Sequence, residues 1–257
     1  MSRAPLGIMA ALHDEIAGLL AHMGPGAACR RIGMRDYYVG DLYGQPCVVV
    51  LARIGKVAAA ATAVTLIREF GVHALLFTGL AGGIAPGVRV GDVVIAETLV
   101  HHDLDARPLF PQYEVPLLGV SRLATEPRMN SVLAQCAVDY LALALARDVD
   151  AATRDLFAIG APMLHRGLVA SGDRFVGDAN TAGAVFAALP ETLCVEMEGA
   201  AVAQVCHEYE IPCAVLRTVS DRADAAAPVD FAAFLTHIAS HYSSGIVSRF
   251  VQAYMGE

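Results

Sequence analysis

The chain alternates short apolar runs with Ala-rich stretches whose apolar positions recur every three or four residues. Leu6–Ala11 reads as a strand, followed by a helix from about Asp14 to His22. Arg35–Leu42 and Pro46–Leu51 read as two strands joined by a turn at Tyr43-Gly44. Lys56–Phe70 has Ala and Val at helical spacing and stops at Gly71, which suits a helix C-cap. Ala74–Thr78 and Val93–Leu99 are continuous apolar runs of strand length. Residues 103–120 carry Pro108, Pro111, Pro116 and Gly119 around Phe110 and Tyr113, which predicts an ordered loop. Beyond it the pattern gives helices at Ser131–Ala146 and Ala151–Ile159, and strands at His165–Ser171 and Leu193–Glu196. A helix at Gly199–Tyr209, a strand at Cys213–Ser220 and a terminal helix at Phe231–Tyr254 complete it. There is no internal repeat or linker, so the pattern predicts one domain over residues 1–257. Its expected class is α/β, a three-layer α/β/α arrangement with helices flanking a central mixed sheet. In such sheets ligands bind at the carboxyl ends of strands.

Composition sharpens this picture. Apolar residues make up 56% of the chain and charged residues 17%, enough for a large core and for buried subunit surface as well. The net charge is −8 and no run of Lys or Arg forms a phosphate-tracking stripe, which argues against nucleic acid as a partner. No stretch of about 18 uncharged apolar residues marks a membrane span. Met1–Gly7 leads directly into the first strand without a leader pattern. The six cysteines are scattered with no CxxC, as expected of reduced thiols in the cytoplasm.

Five places could carry chemistry. His13-Asp14-Glu15 follows the first strand, where acidic residues also suit a helix N-terminus. Phe77 to Gly83 follows a buried run with small residues that let backbone approach a ligand, although a tight turn serving the fold explains them equally. In Val195 to Ala201, Glu196 and Glu198 flank Met197 at a strand end, and one such carboxylate can accept both hydroxyls of a ribose. Arg217 lies midway along an apolar strand and needs a carboxylate partner, for which Glu198 is the natural candidate. That strand ends in Ser220-Asp221, where Asp221 is either a cap or a general acid. Ser171 to Val176 ends another strand, with Phe175 placed to join the core or to stack on a base. His101-His102-Asp103 lacks metal-ligand spacing, so no metal and no cofactor are expected. GxSxG is absent.

Taken in order, six of these segments resemble the nucleoside phosphorylase and nucleosidase superfamily, and within it the 5′-methylthioadenosine/S-adenosylhomocysteine nucleosidase family. They are Ile54–Ala59, Thr78–Gly83, Gly91-Asp92, Ser171–Asp173, Val195–Ala200 and Ser220-Asp221. The resemblance runs from Gly7 to about Leu235. It implies a partly barrel-like sheet and a purine nucleoside as substrate. Asp221, helped by Ser220, would protonate N7 of adenine, and Glu15 would deprotonate the attacking water. Glu198 would hold the ribose hydroxyls with Met197 against the sugar. Phe175 would stack on the base, whose edge the Val176 backbone would read. Phe231 would line the 5′-alkylthio pocket, and Ile54, Leu80 and Arg217 would complete the site. The 106–110 loop would close the pocket of a neighbouring subunit, making a homodimer.

Two positions depart from the family pattern. Leu80 stands where Ser is usual, removing a hydroxyl that holds water, and Arg53 stands where Gly is usual, adding a charge expected near the sugar. Two alternatives remain at this point. A phosphate-dependent purine nucleoside phosphorylase of the same fold would carry Arg where this chain has Glu15, a carboxylate that repels phosphate. A non-catalytic nucleoside-binding protein would have no need of both Glu15 and Asp221.

Overall fold

The computed structural model describes residues 3–24 and 26–254, with only the backbone at Asp14. Met1 and Ser2, and the last three residues of the expected domain, lie outside the described residues. The strands are β1 Leu6–Ala10, β2 Ala28–Ile32, β3 Arg35–Leu42, β4 Gln45–Leu51, β5 Ala74–Gly83, β6 Val93–His101, β7 Leu123–Ala124, β8 Leu164–Ser171, β9 Thr192–Glu196 and β10 Cys213–Asp221. The helices are α1 Ala17–His22, α2 Lys56–Phe70, α3 Pro127–Leu143, α4 Leu145–Asp148, α5 Ala151–Leu156, α6 Ala179–Ala188, α7 Gly199–Glu208, α8 Ala227–Phe234 and α9 Ser240–Tyr254.

The sheet runs β10-β6-β8-β9-β5-β1-β4-β3-β2, and β10 also pairs with β5. That extra pairing closes five strands into a barrel-like ring, while β1, β4, β3 and β2 continue as an open wing. Both β5 and β10 are buried along their full length, as is β1. Strands covered on both faces read as unbroken apolar runs. One core face gathers Ile8, Leu76, Leu216, Tyr140, Tyr242 and Phe250 under α1, α3 and α9. The other gathers Met9, Phe77, Val215, Ala63 and Val202 under α2 and α7. The result is the expected three-layer α/β/α arrangement.

The strand β5 shapes the rest. One of its edges pairs with β10 from Leu75 to Gly82. The other pairs in parallel with β1 over Ala74–Phe77, and then antiparallel with β9 at Gly82 and Gly83. Between these two partners, Thr78–Ala81 has no strand on that edge. The gap marks where the open wing and the ring part company, and such a switch point is where α/β sheets bind ligands.

Several sequence expectations need correction. Phe77–Gly83 continues the strand and is no turn, because β10 and β9 both pair with it. The helix expected from Asp14 begins as a 3₁₀ turn at His13–Glu15, since the Leu12 N–H donates to Glu15 Oε2 and tightens the chain there. The terminal helix starts earlier, at Ala227, and passes through a π-helical turn at Leu235–Ala239 before α9. The helix α3 starts at Pro127, after a cap by Glu126 on the Met129 N–H at 2.6 Å. The edge strand β2 and the helix α6 were not expected. Most of β2 is exposed and lacks apolar alternation, while α6 is announced only by its cap Asp178. No helix among the described residues is long and apolar enough to cross a membrane.

Candidate active site

A cleft of about 700 Å³ opens beside the gap in β5. Its walls come from the ends of β1, β4, β8, β9 and β10, through Glu15, Ile54, Phe175, Val176, Met197, Glu198 and Asp221. Leu80, Arg217 and Phe231 also line it. Ser220 does not; it sits at an irregularity in the β5–β10 register and donates from Oγ to Asp221 Oδ2 at 2.8 Å. The other side chains that the resemblance gives a role toward the substrate all line this one cleft.

Glu15 reaches into the gap. Its Oε1 accepts the Leu80 N–H at 3.1 Å, the strand amide that no neighbouring strand takes, and its Oε2 accepts the Leu12 N–H at 2.8 Å. Burial pushes this carboxyl up to about 7, against the Leu12 amide, the charge of Arg217 and the Leu80 amide. Small residues in β5 make room. A Cβ on Gly79 would lie 3.0 Å from Arg217 Nη1 and 3.1 Å from Glu15 Oε1. One on Gly82 would lie 2.9 Å from Asp221 Oδ1. Gly79 and Gly82 are therefore the space into which the charged groups fit, and not a turn.

Arg217 is 1% exposed in the middle of β10. Its expected partner was Glu198, but the structure pairs it with Glu196. Nη2 and Nε donate to Glu196 Oε2 at 2.5 and 3.2 Å, and the guanidinium carbon lies 4.1 Å from the centre of the Phe77 ring. The reason is the start of α7. Glu196 is the last residue of β9, and its carboxylate accepts the N–H groups of Glu198 and Gly199 at 3.1 and 2.7 Å and the Ser171 hydroxyl. Glu198, two residues on, instead accepts the N–H of Gly55, the residue that caps α2, at 2.8 Å. Burial alone would raise Glu196, but Arg217, Ser171 and the Gly199 amide outweigh it and hold it below its ordinary value. Glu198 is raised, first by burial and then by the charge of Glu196. Asp221 is also raised by burial, despite the Ala223 N–H and the Ser220 hydroxyl it accepts.

Phe175 and Phe231 meet edge to face, with ring centres 5.8 Å apart, and Phe175 is 42% exposed at the mouth. Arg53, expected near the sugar, does not line the cleft. Its guanidinium turns outward to the Met34 carbonyl at 2.6 Å, and its backbone holds φ +71°. That left-handed conformation is one that Gly adopts without strain, in keeping with the Gly that the resemblance expects there. Lys56 begins α2 and its Nζ lies 2.6 Å from Asp103 Oδ1. Asp103 also accepts the Asp173 N–H, and Asp173 the Lys56 N–H, so the 103–120 loop is tied to this edge of the site. His101 bonds Gln204 at 3.0 Å, and no cluster of three or more His, Cys, Asp or Glu among the described residues could hold a metal ion.

The model of the phosphorylase superfamily matches residues 5–252. The chain belongs to this superfamily. It is 32% identical over 236 residues to a 5′-methylthioadenosine/S-adenosylhomocysteine nucleosidase of Shewanella baltica, covering 92% of each chain. Such a match places it in that nucleosidase family. Among solved structures, the superfamily member from Neisseria meningitidis described as 5′-methylthioadenosine/S-adenosylhomocysteine nucleosidase in complex with methylthio-immucillin-A is 32% identical. It superposes with a TM-score of 0.84, covering 98% of this chain and 100% of that one. A futalosine hydrolase mutant of Helicobacter pylori is 28% identical with a TM-score of 0.82, covering 96% and 98%.

Sequence reading missed Glu196 as the partner of Arg217, although both carboxylates beside Met197 were in view. It also missed Arg174, which lines the cleft and lies 3.6 Å from Asp178. The buried pair yields a test. Arg217→Met should destabilise the protein by about 3–5 kcal/mol at neutral pH, because Glu196 is left as an unpaired buried charge. Since pairing holds Glu196 low, its stabilisation is full above the ordinary carboxylate range and fades as pH falls through the lowered value. Urea unfolding should therefore show the wild-type advantage shrinking toward about pH 4. An advantage independent of pH would trace the loss to packing on Phe77 instead.

Proposed function

We propose that this chain is a cytoplasmic, single-domain nucleosidase that hydrolyses the N-glycosidic bond of 5′-alkylthio-adenosines. Its substrates are methylthioadenosine and S-adenosylhomocysteine, and its products adenine and the 5′-thio-ribose. The observation that carries this reading is the placement of Glu15, Glu198 and Asp221 around one buried cleft, in a chain of this family. Cleavage makes the sugar oxocarbenium-like, and carboxylates already fixed around it stabilise that charge without reorganising.

Each side chain takes one part. Asp221, raised by burial, donates a proton to N7 so that adenine leaves neutral, with Ser220 orienting the carboxyl. Glu15, titrating near neutrality, removes a proton from water. Glu198 accepts the ribose hydroxyls, with Met197 against the sugar. Phe175 stacks on the adenine and the Val176 backbone reads its edge. Phe231, Ile54 and Leu80 give apolar surface to the 5′ group and sugar.

Water is favoured over phosphate on electrostatic grounds. The cations near the cleft are engaged: Arg217 by Glu196, Lys56 by Asp103 and Arg174 by Asp178, while Arg53 points away. A dianion beside Glu15 would meet a carboxylate, and Leu80 offers it no hydroxyl. The test is adenine release from methylthioadenosine in phosphate-free buffer, with the sugar product identified. Free 5′-methylthioribose at a rate that added phosphate leaves unchanged is expected. Asp221→Asn should lower that rate by about 10²–10⁴-fold. A requirement for phosphate, with a sugar 1-phosphate as product, would overturn the proposal.

The enzyme works as a homodimer in which the 103–120 loop completes the partner's pocket. This rests on the apolar side chains the loop presents, Leu109 at 82% and Leu117 at 92% exposure, and on its tether through Asp103. Sedimentation at micromolar concentration should give about twice 27.0 kDa. A fully active monomer would show that one chain completes the pocket.

A further inference from the structure

We infer that Glu196 is a positioning residue for glycosidic cleavage: it occupies Arg217 so that the guanidinium cannot pair with Glu198, and thereby leaves Glu198 free to accept the substrate's two ribose hydroxyls. The inference rests on the nucleosidase reading above and assigns a task to a residue that touches neither base nor sugar in that reading.

Three observations meet here. First, Arg217 is enclosed and lines the same cleft as Glu15, Glu196 and Glu198, and its charge is felt by all three. Left to itself, a buried guanidinium takes a carboxylate with two parallel bonds wherever geometry allows. Second, Glu196 cannot easily be displaced from it. Besides two donors from Arg217, it accepts the Glu198 and Gly199 amides and the Ser171 hydroxyl, whose oxygen in turn accepts the Ala200 N–H at 2.7 Å. It is thus fixed by the first turn of α7 and by the end of β8, both independent of substrate. Third, among the described residues Glu198 receives one hydrogen bond, the Gly55 N–H on Oε1, and it lines the cleft. A carboxylate with both oxygens held by the Arg217 fork, and one of them also by the Gly55 amide, would have little acceptor capacity left in the direction of a diol. The same contacts aim Arg217 Nη1 at the Gly79 gap and the Leu216 carbonyl at 3.1 Å, on the Glu15 side. Glu196 therefore keeps one cation serving the whole site without saturating either carboxylate that meets the substrate.

The test compares a nucleoside carrying both ribose hydroxyls with its 2′-deoxy analogue. Glu196→Gln frees Arg217 to turn to Glu198. The KM for the diol substrate should rise by about 10–100-fold, the worth of a charge-assisted hydrogen bond, and that for the deoxy analogue much less. The double variant Glu196→Gln with Arg217→Met removes the competing cation, so discrimination between the two substrates should return even if turnover stays low. Should Glu196→Gln not fold, Glu196→Asp keeps the charge but withdraws it by one methylene, and the same ratio of KM values should move in the same direction. Equal losses on both substrates, or a double variant no better than the single one, would make Glu196 a structural anchor only and overturn the inference. A wild-type enzyme that releases no base at all would instead strike at the nucleosidase reading, so the two failures are distinguishable.

Discussion

A guanidinium sealed into the middle of a fully buried strand cannot be hydrated, so the protein around it has to be arranged to answer its charge. Arg217 occupies that position, and much of the site follows from how it is answered. Glu196 takes the ion pair, the start of α7 and Ser171 hold Glu196 in place, and Glu198 accepts the Gly55 amide instead. Glu15 stands across the Gly79 gap, close enough to feel the cation and buried enough to titrate far above a free carboxylate. These groups come from widely separated parts of the chain, and the sheet brings them together.

Room for so much charge exists because β5 changes partners along one edge. A strand paired continuously on both sides would leave no free amide at Leu80 and no opening for Glu15. The gap costs the backbone little, since the Glu15 carboxylate takes the orphaned amide that would otherwise be buried without a partner. Glycine at 79 and 82 completes the opening, as a methyl group at either position would crowd a charged side chain. Apolar packing on both faces of β5 and β10 keeps water from the buried groups, and the raised values of Glu15, Glu198 and Asp221 are the chemical consequence.

The layered fold was legible because its buried strands are unbroken apolar runs and its helices repeat at 3.6 residues. What escaped were elements that the core does not specify. The strand β2 lies exposed at the edge of the wing, and α6 is short with little polar contrast between its faces. The site was legible as a set of residues, since strand ends announced Glu15, Glu198, Phe175 and Asp221. Pairing among them was not. Glu196 and Glu198 differ by two residues and by nothing else in the sequence, and only the turn from β9 into α7 decides which one meets Arg217. Arg53 shows the same limit: its charge was visible, but the direction of its side chain depends on a backbone held at positive φ.

Burial and one shared cation set the charges of these carboxylates before any substrate arrives. Carbon-detected NMR titration of the side-chain carboxyls, in protein labelled at Glu and Asp and assigned through Glu15→Gln and Glu196→Gln variants, reads those charges directly. Glu15 should titrate near pH 7, and Glu196 should stay ionised below the ordinary carboxylate range. A Glu15 that titrates like a free glutamate, or a Glu196 that takes up its proton first, would contradict this.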